Sequence, residues 1–347
     1  MNTLAKTALA TSIALAITAC HDNDPTPPQP VPVDPTTVDV SGDAIKGTLI
    51  SAEVSLFSVT DLETQVGESV QTAEDGTYTL NLQDESGEPI SGAFVVNVTA
   101  DDDTTMVCDA VNCANGVTKG EIIPTADLAG LSLSSFLYID SNAEEAPTAK
   151  VNTLTTMATD AIIAAASVEG SAIDLSDLTE ESTQELQVAG SEVVGAILGL
   201  DLTDVDLFAL DIVDASESSN VSTDDSTTAT LTLINASLSN IEVADGSTLG
   251  DSLNTYFTAV EEVTSAVFTD TEVDLSADFS DQMDELALVQ AGISADADLL
   301  KTEIEQDTGE DLPSEDIPDV VDPSDIADAI GDIVDGTGGT GGTGGEG

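Results

Sequence analysis

The chain has no arginine, no tryptophan and a single histidine, His21, while five lysines face 67 aspartates and glutamates for a formal net charge of −62. Each shortage removes a class of function. Nucleic acid and anionic headgroups are gripped by clusters of lysine and arginine, and a surface this acidic repels them, so nucleic acid is excluded as a partner. A histidine-based triad or dyad cannot be assembled when the one imidazole sits at position 21, just ahead of a proline-rich stretch. No Walker A sequence and no dinucleotide fingerprint occurs. Sugar platforms stack on tryptophan or tyrosine, and here only Tyr78, Tyr138 and Tyr256 are available.

What is present is enough to fold. The apolar fraction is 41%, ordinary for a globular protein and too high for an acidic disordered chain. Self-repulsion at such charge needs counterions, because salt shortens the range of the field from about 10 Å at 0.1 M to about 3 Å at 1 M. A saline habitat is expected.

The N-terminus reads as a targeting segment. Lys6 supplies a positive charge, Thr7 to Ala19 is apolar or small throughout, and this run is shorter than the about 20 residues a membrane span needs. It ends at Ile17-Thr18-Ala19-Cys20, which resembles the lipobox of bacterial lipoproteins. The resemblance implies a signal peptide over 1–19, cleavage before Cys20, and a diacylglycerol thioether on Cys20 that tethers the product to a membrane. His21 stands where a retention aspartate keeps related lipoproteins at the inner membrane, so the outer membrane is expected, with the chain facing the periplasm or the cell surface. Residues 20–37 form a tether: Pro25, Pro27, Pro28, Pro30, Pro32 and Pro35 leave almost no apolar bulk. In polyproline II geometry, at about 3.1 Å per residue, the fourteen or so residues from Asp24 to Thr37 reach roughly 40 Å.

With Cys20 committed to lipid, Cys108 and Cys113 remain as a close pair, and in an oxidising compartment a disulfide closing a small loop is expected. The alternative is a metal pair, which needs two further soft ligands.

From Val38 to about Asp140 the pattern is that of strands. Alternation marks Ala52 to Val59, Thr77 to Leu82 and Ala93 to Thr99, with turn signals at roughly ten-residue intervals, as in a β-sandwich. Asp75-Gly76 supplies the positive φ of a tight turn, read as a hairpin, and the strand after it puts Tyr78, Leu80 and Leu82 on one face. Asp43-Ala44-Ile45-Lys46-Gly47-Thr48-Leu49, the Ala52 strand, the Asp75-Gly76-Thr77-Tyr78 turn and the Val95 strand together resemble the carboxypeptidase-regulatory-like, transthyretin-type β-sandwich of bacterial surface proteins. That likeness covers about residues 38–105 and implies a non-catalytic spacer or binding module. The order of segments after it is similar to that in lipoproteins of marine gammaproteobacteria.

From Asn152 the period becomes helical. Leu154, Met157, Ala158, Ala161, Ile162 and Ala165 share a face, with Thr153 as N-cap. Further helices are expected at 178–198, 228–241, 249–268 and 280–305. A last one spans 323–334, with Asp322 as cap, Pro323 in the first turn and Ile326, Ile330, Ile333 and Val334 inward. The fold class is therefore α+β, an N-terminal β-sandwich over 38–140 followed by a mainly helical domain over 141–335. The Gly/Thr repeat of 336–347 is a flexible tail.

Two features carry possible chemistry. Asp307-Thr308-Gly309 matches the aspartic-protease tripeptide, but acidic neighbours replace the apolar strand that site needs, so it reads as a helix end. Asp101 and Asp103 at a strand end, and Asp201, Asp204 and Asp206 on a short stretch, could give oxygen ligands to Ca²⁺, although neither stretch has the spacing of an EF-hand loop. The bland account is a solvated acidic surface. No catalysis and no obligatory cofactor is expected. The expected function is a lipid-anchored envelope or cell-surface protein with a structural or adhesion role, and the alternative is an accessory binding subunit for an extracellular polymer or envelope complex. Its protein or matrix partner is not readable from the sequence.

Overall fold

The computed structural model describes residues 36–84, 89–143, 145–169, 171, 173–221, 224–241, 247–270, 273–319 and 322–336. The expected signal peptide, Cys20, the tether up to residue 35 and the tail beyond 336 lie outside the described residues.

The strand half runs β1 (Thr36–Ala44), β2 (Leu49–Ile50), β3 (Glu53–Ser58), β4 (Asp61–Gln65), β5 (Val70–Gln71), β6 (Thr77–Asp84), β7 (Ser91–Thr99), β8 (Thr105–Val107), β9 (Asn112–Cys113), β10 (Val117–Thr118), β11 (Ile122–Ile123), β12 (Ser132–Asp140) and β13 (Thr148–Val151). Strands β12, β7 and β3 pair in that order, and β4 and β5 share the far edge of β3. A second sheet has the order β13-β1-β6, a third β11-β8-β2, and β9 pairs with β10. The sheets are open. Edge strand β4, Asp-Leu-Glu-Thr-Gln, is exposed along its whole length, and its two acids disfavour pairing with another chain.

Alternation fixes which face is buried. Val38, Val40 and Ala44 of β1 and Tyr78, Leu80 and Leu82 of β6 point inward, in the antiparallel register Val40 to Leu80. Gly76 takes its positive φ of 78°, and the Ala73 N–H donates to the Thr77 carbonyl at 2.8 Å. The expected hairpin does not form, however. Strand β5 before the turn pairs with β3, whereas β6 after it pairs with β1, because the Ala44 N–H donates to the Gly76 carbonyl and draws the turn to the second sheet.

The stretch assigned to the helical half from residue 141 holds one more strand. Strand β13 runs parallel to β1, from Ser41 opposite Thr148 to Ala44 opposite Val151. Gly42 permits this approach, since a Cβ there would lie 1.8 Å from the Ala149 carbonyl oxygen, which also accepts the Tyr78 hydroxyl at 2.5 Å.

The helices are α1 (Thr125–Leu128), α2 (Thr153–Ser167), α3 (Glu180–Leu198), α4 (Ser226–Ser237), α5 (Leu249–Thr269), α6 (Leu275–Asp278), α7 (Ser280–Thr308) and α8 (Pro323–Gly336). Asn152, not Thr153, caps α2: its Oδ1 accepts the N–H groups of Leu154 and Thr155 at 2.9 Å each, and Thr155 returns a bond to the Asn152 N–H. Thr153 is already the first helical residue, and its hydroxyl donates instead to Asn235 Oδ1 at 2.6 Å. Thr179 caps α3 and Gly199, in the left-handed conformation, ends it. Asp322 caps α8 through the Ser324 N–H, and Ile326 and Ile330 are fully buried, each worth about 1.5–3 kcal/mol. The side chains of Ile333 and Val334 lie outside the described residues.

One hydrophobic cluster runs from Val38 through Leu133, Leu154, Val194 and Val263 to Ile330, so the expected boundary at 140 does not separate two cores. Helix α2 is central to it and buries residues on every side, packed by α3, α5 and strand β12. A smaller cluster joins Leu233 of α4 to Leu300 and Ile304 of α7. The halves are also stitched by polar groups. The buried Asn235 side chain donates to the Ile45 carbonyl at 3.1 Å and accepts from the Thr153 N–H at 3.2 Å and its hydroxyl at 2.6 Å.

Cys108 and Cys113 are joined as a disulfide with Cα atoms 5.9 Å apart. Both half-cystines are buried. A loop this short gives a modest constraint on the unfolded chain, so replacing both cysteines by serine is expected to cost about 2 kcal/mol. Urea midpoints of the oxidised protein and the double variant measure it.

Candidate functional site

A cleft of about 360 Å³ opens where α2 and α5 cross one face of the five-stranded sheet. The sheet contributes Phe57 from β3, Val95 and Asn97 from β7, and Ser132 to Ser134 from β12, while the helices add Thr156, Thr159, Asp160, Asn254, Phe257 and Glu261. Sheet alternation and helical spacing produce this wall directly. Thr156, Asp160 and Ile163 follow one another at three- and four-residue steps on α2, as Asn254, Phe257 and Glu261 do on α5.

The polar groups of the wall differ in how fully they are satisfied. Ser132 donates to Asn97 Oδ1 at 2.8 Å, and Asn254 Nδ2 donates to the Gly130 carbonyl at 2.7 Å. The hydroxyls of Ser134 and Thr159 are buried and have no hydrogen-bond partner. The cleft's ionisable groups are Asp160 and Glu261. Burial pushes the Asp160 carboxyl up to about 7, and the charge of Glu261 adds to the rise. At neutral pH it is therefore divided between a proton donor and a charged acceptor. This wall can hold a cationic or donor-rich group among apolar rings, but it offers no imidazole, thiol or amine for nucleophilic or electrophilic work.

No family model matches the chain, and neither curated proteins nor solved structures match it.

The residues singled out from the sequence lie elsewhere. Asp101 Oδ1 accepts from the Asp103 N–H at 2.8 Å and from the Thr104 hydroxyl at 3.0 Å, holding its own turn. Asp201 and Asp206 likewise accept the N–H groups of Thr203 and Phe208, and Asp204 takes a positive φ of 61° between them. Among the described residues no group of three or more carboxylate, imidazole or thiol side chains is placed to hold a metal ion. Asp307 and Thr308 close α7, and Gly309 ends it with a φ of 72°. Tyr78 and Tyr256 are both buried, which leaves Tyr138 as the partly exposed tyrosine. No helix among the described residues is long and apolar enough to cross a membrane.

Sequence reasoning missed the cleft. Its signal was present in Met157-Ala158-Thr159-Asp160-Ala161-Ile162-Ile163, where a lone carboxylate interrupts an otherwise small and apolar helical run.

Proposed function

We propose that the chain is a lipid-anchored, non-catalytic envelope or cell-surface protein, with Cys20 carrying the lipid and the Pro-rich segment holding one folded unit away from the membrane. The observation that supports this most is the order of parts. An apolar leader ends at Cys20, prolines fill the segment after it, and the first strand begins at Thr36. The shared core lets the tether carry both halves as a single load-bearing body, which suits a structural or adhesive role. The strand half is read as a β-sandwich of the carboxypeptidase-regulatory-like kind, supported by the Gly76 turn and by the inward Tyr78, Leu80 and Leu82.

The cleft beside Asp160 favours the second reading, an accessory binding subunit, since it is concave, walled by apolar rings and equipped with unsatisfied hydroxyls. The direction the protein faces separates an adhesive role at the cell surface from a binding subunit of an envelope complex. In the native host, wild type is expected in the membrane fraction and Cys20→Ala in the soluble envelope fraction, and protease added to intact cells is expected to remove the wild type. Persistence of Cys20→Ala in the membrane fraction would refute the anchor. Protection of the wild type until lysis would place it in the periplasm and select the binding-subunit reading.

A further inference from the structure

Lys46 is an anomaly on charge and volume grounds. It is one of five basic residues in the whole chain, yet it is completely buried, and so is Asp109 in the disulfide loop. The Lys46 amine lies 4.0 Å from Asp109 Oδ1 and donates to the Ser239 hydroxyl at 2.7 Å and to the Asn235 carbonyl at 2.5 Å. Ser239 in turn donates to Asp109 Oδ1 at 2.5 Å. The other carboxylate oxygen, Oδ2, accepts the Gly47 N–H at 2.6 Å.

A buried ion pair is a costly arrangement, because the desolvation of both charges competes with their attraction. Burial drives the Lys46 amine well below its ordinary range and Asp109 well above its own, each toward the uncharged form. The nearby Asp214 carboxylate opposes the shift of the lysine and reinforces that of the aspartate. An uncharged amine is a nucleophile and an uncharged carboxyl is an electrophile. Held together in a dry site, they have the effective concentration that the same groups lack in water.

We propose that Lys46 and Asp109 condense into an intramolecular isopeptide bond. The Nζ lone pair attacks Cγ of the carboxylic acid, and Oδ2, receiving the Gly47 N–H, carries the developing negative charge. The proton lost by Nζ passes through the Ser239 hydroxyl to Oδ1. Oδ1, already protonated, then leaves as water. The Nζ–Cγ bond forms, the Cγ–Oδ1 bond breaks, and no oxidant or reductant is needed. The product is a neutral amide whose oxygen keeps the Gly47 N–H, so both buried charges disappear. It locks the turn after β1 to the disulfide loop beside the end of α4.

The test is a tryptic digest of the purified full-length protein after denaturation and reduction. Trypsin cuts this chain only at lysine, since it has no arginine, and the bond removes Lys46 as a site. The expected product is one fragment that ends at Lys119, reaches back past Lys46, and is lighter than its sequence by one water. Fragmentation should show a branch between Lys46 and Asp109. Asp109→Ala is expected to restore cleavage after Lys46 and the full mass. If that variant does not fold, the wild-type digest still decides. A separate 47–119 fragment of ordinary mass as the main species would overturn the proposal, and so would a lighter 47–119 fragment with Lys46 cleaved, which would mark dehydration of an aspartate within it.

Discussion

Asn235→Ala is expected to destabilise the protein by about 3–5 kcal/mol, the largest loss among single polar substitutions other than those of Lys46 and Asp109. The side chain is fully buried on α4, and its amide serves both halves at once: the Ile45 carbonyl after β1, and the N–H and hydroxyl of Thr153 at the start of α2. Alanine removes all three bonds and leaves three buried polar groups without partners, each costing about 1–3 kcal/mol before the site relaxes. Asn81, whose amide meets Asp39 on an exposed face, supplies the control, and Asn81→Ala is expected to stay within about 0.5 kcal/mol. Urea unfolding of both variants measures the contrast. Because one core spans the halves, the wild type should unfold in one transition. A loss below about 1 kcal/mol for Asn235→Ala would show that the seam is held by apolar contact alone.

The second large effect runs the other way and depends on pH. Asp160→Asn is expected to stabilise the protein at pH 8 by about 2–3 kcal/mol and to have almost no effect near pH 4. The Asp160 carboxyl sits at about 7 in the folded protein, against about 3.9 in an unfolded chain. Between those values the folded state holds a proton that the unfolded state has released, so the aspartate's contribution to stability falls as pH rises and levels off above the folded value. Asparagine never ionises and escapes that loss. The full shift converts to about 4 kcal/mol at about 1.4 kcal/mol per unit, and partial exposure at the cleft reduces it. Midpoints taken for both proteins at pH 4, 6 and 8 give the profile. An equal gain at every pH would mean that packing, not charge, is responsible.

Much of this architecture was legible because it rests on local rules. Alternation in β6 identified Tyr78, Leu80 and Leu82 as inward, and Gly309 and Pro323 marked helix ends where backbone geometry demands them. The expected helices at 249–268 and 280–305 fall within a few residues of α5 and α7. What escaped were the contacts between residues far apart in sequence. Strand β13 escaped because its alternation, Thr148-Ala149-Lys150-Val151, runs for only four residues, too short to mark a strand without the partner it finds along Gly42 of β1. The Asp75-Gly76 turn was recognised, but which sheet receives the strand after it is decided by the Ala44 N–H. The cleft arises only when α2 and α5 meet the sheet, so its carboxylates looked like two among 67. Acid-rich stretches misled in the opposite sense, since Asp101, Asp201 and Asp206 spend their oxygens on neighbouring N–H groups.

The lysines illustrate how scarcity concentrates roles. Lys119 pairs with Glu303 at 3.5 Å and Lys150 with Asp211, so these two also tie the strand half to later segments. In a chain of such negative charge, Lys46, Lys119 and Lys150 are each placed where two distant stretches meet.

The partners of Lys46 on α4 and just beyond it lie 189 or more residues further along the chain. Whether the protein leaves a ribosome or a translocation pore, Lys46 therefore emerges long before the slot that will enclose it exists. During that interval its amine stands in water, charged, and for the first part of it the second sheet waits without β13. Completion of the strand half must follow arrival of the helices, so a product cut short within the helical half is not a smaller working module but an unfinished one. A stalled or clipped chain would expose the apolar faces of β1 and β6, which makes it a target for proteases and chaperones. Quality control is thereby built into the order of synthesis.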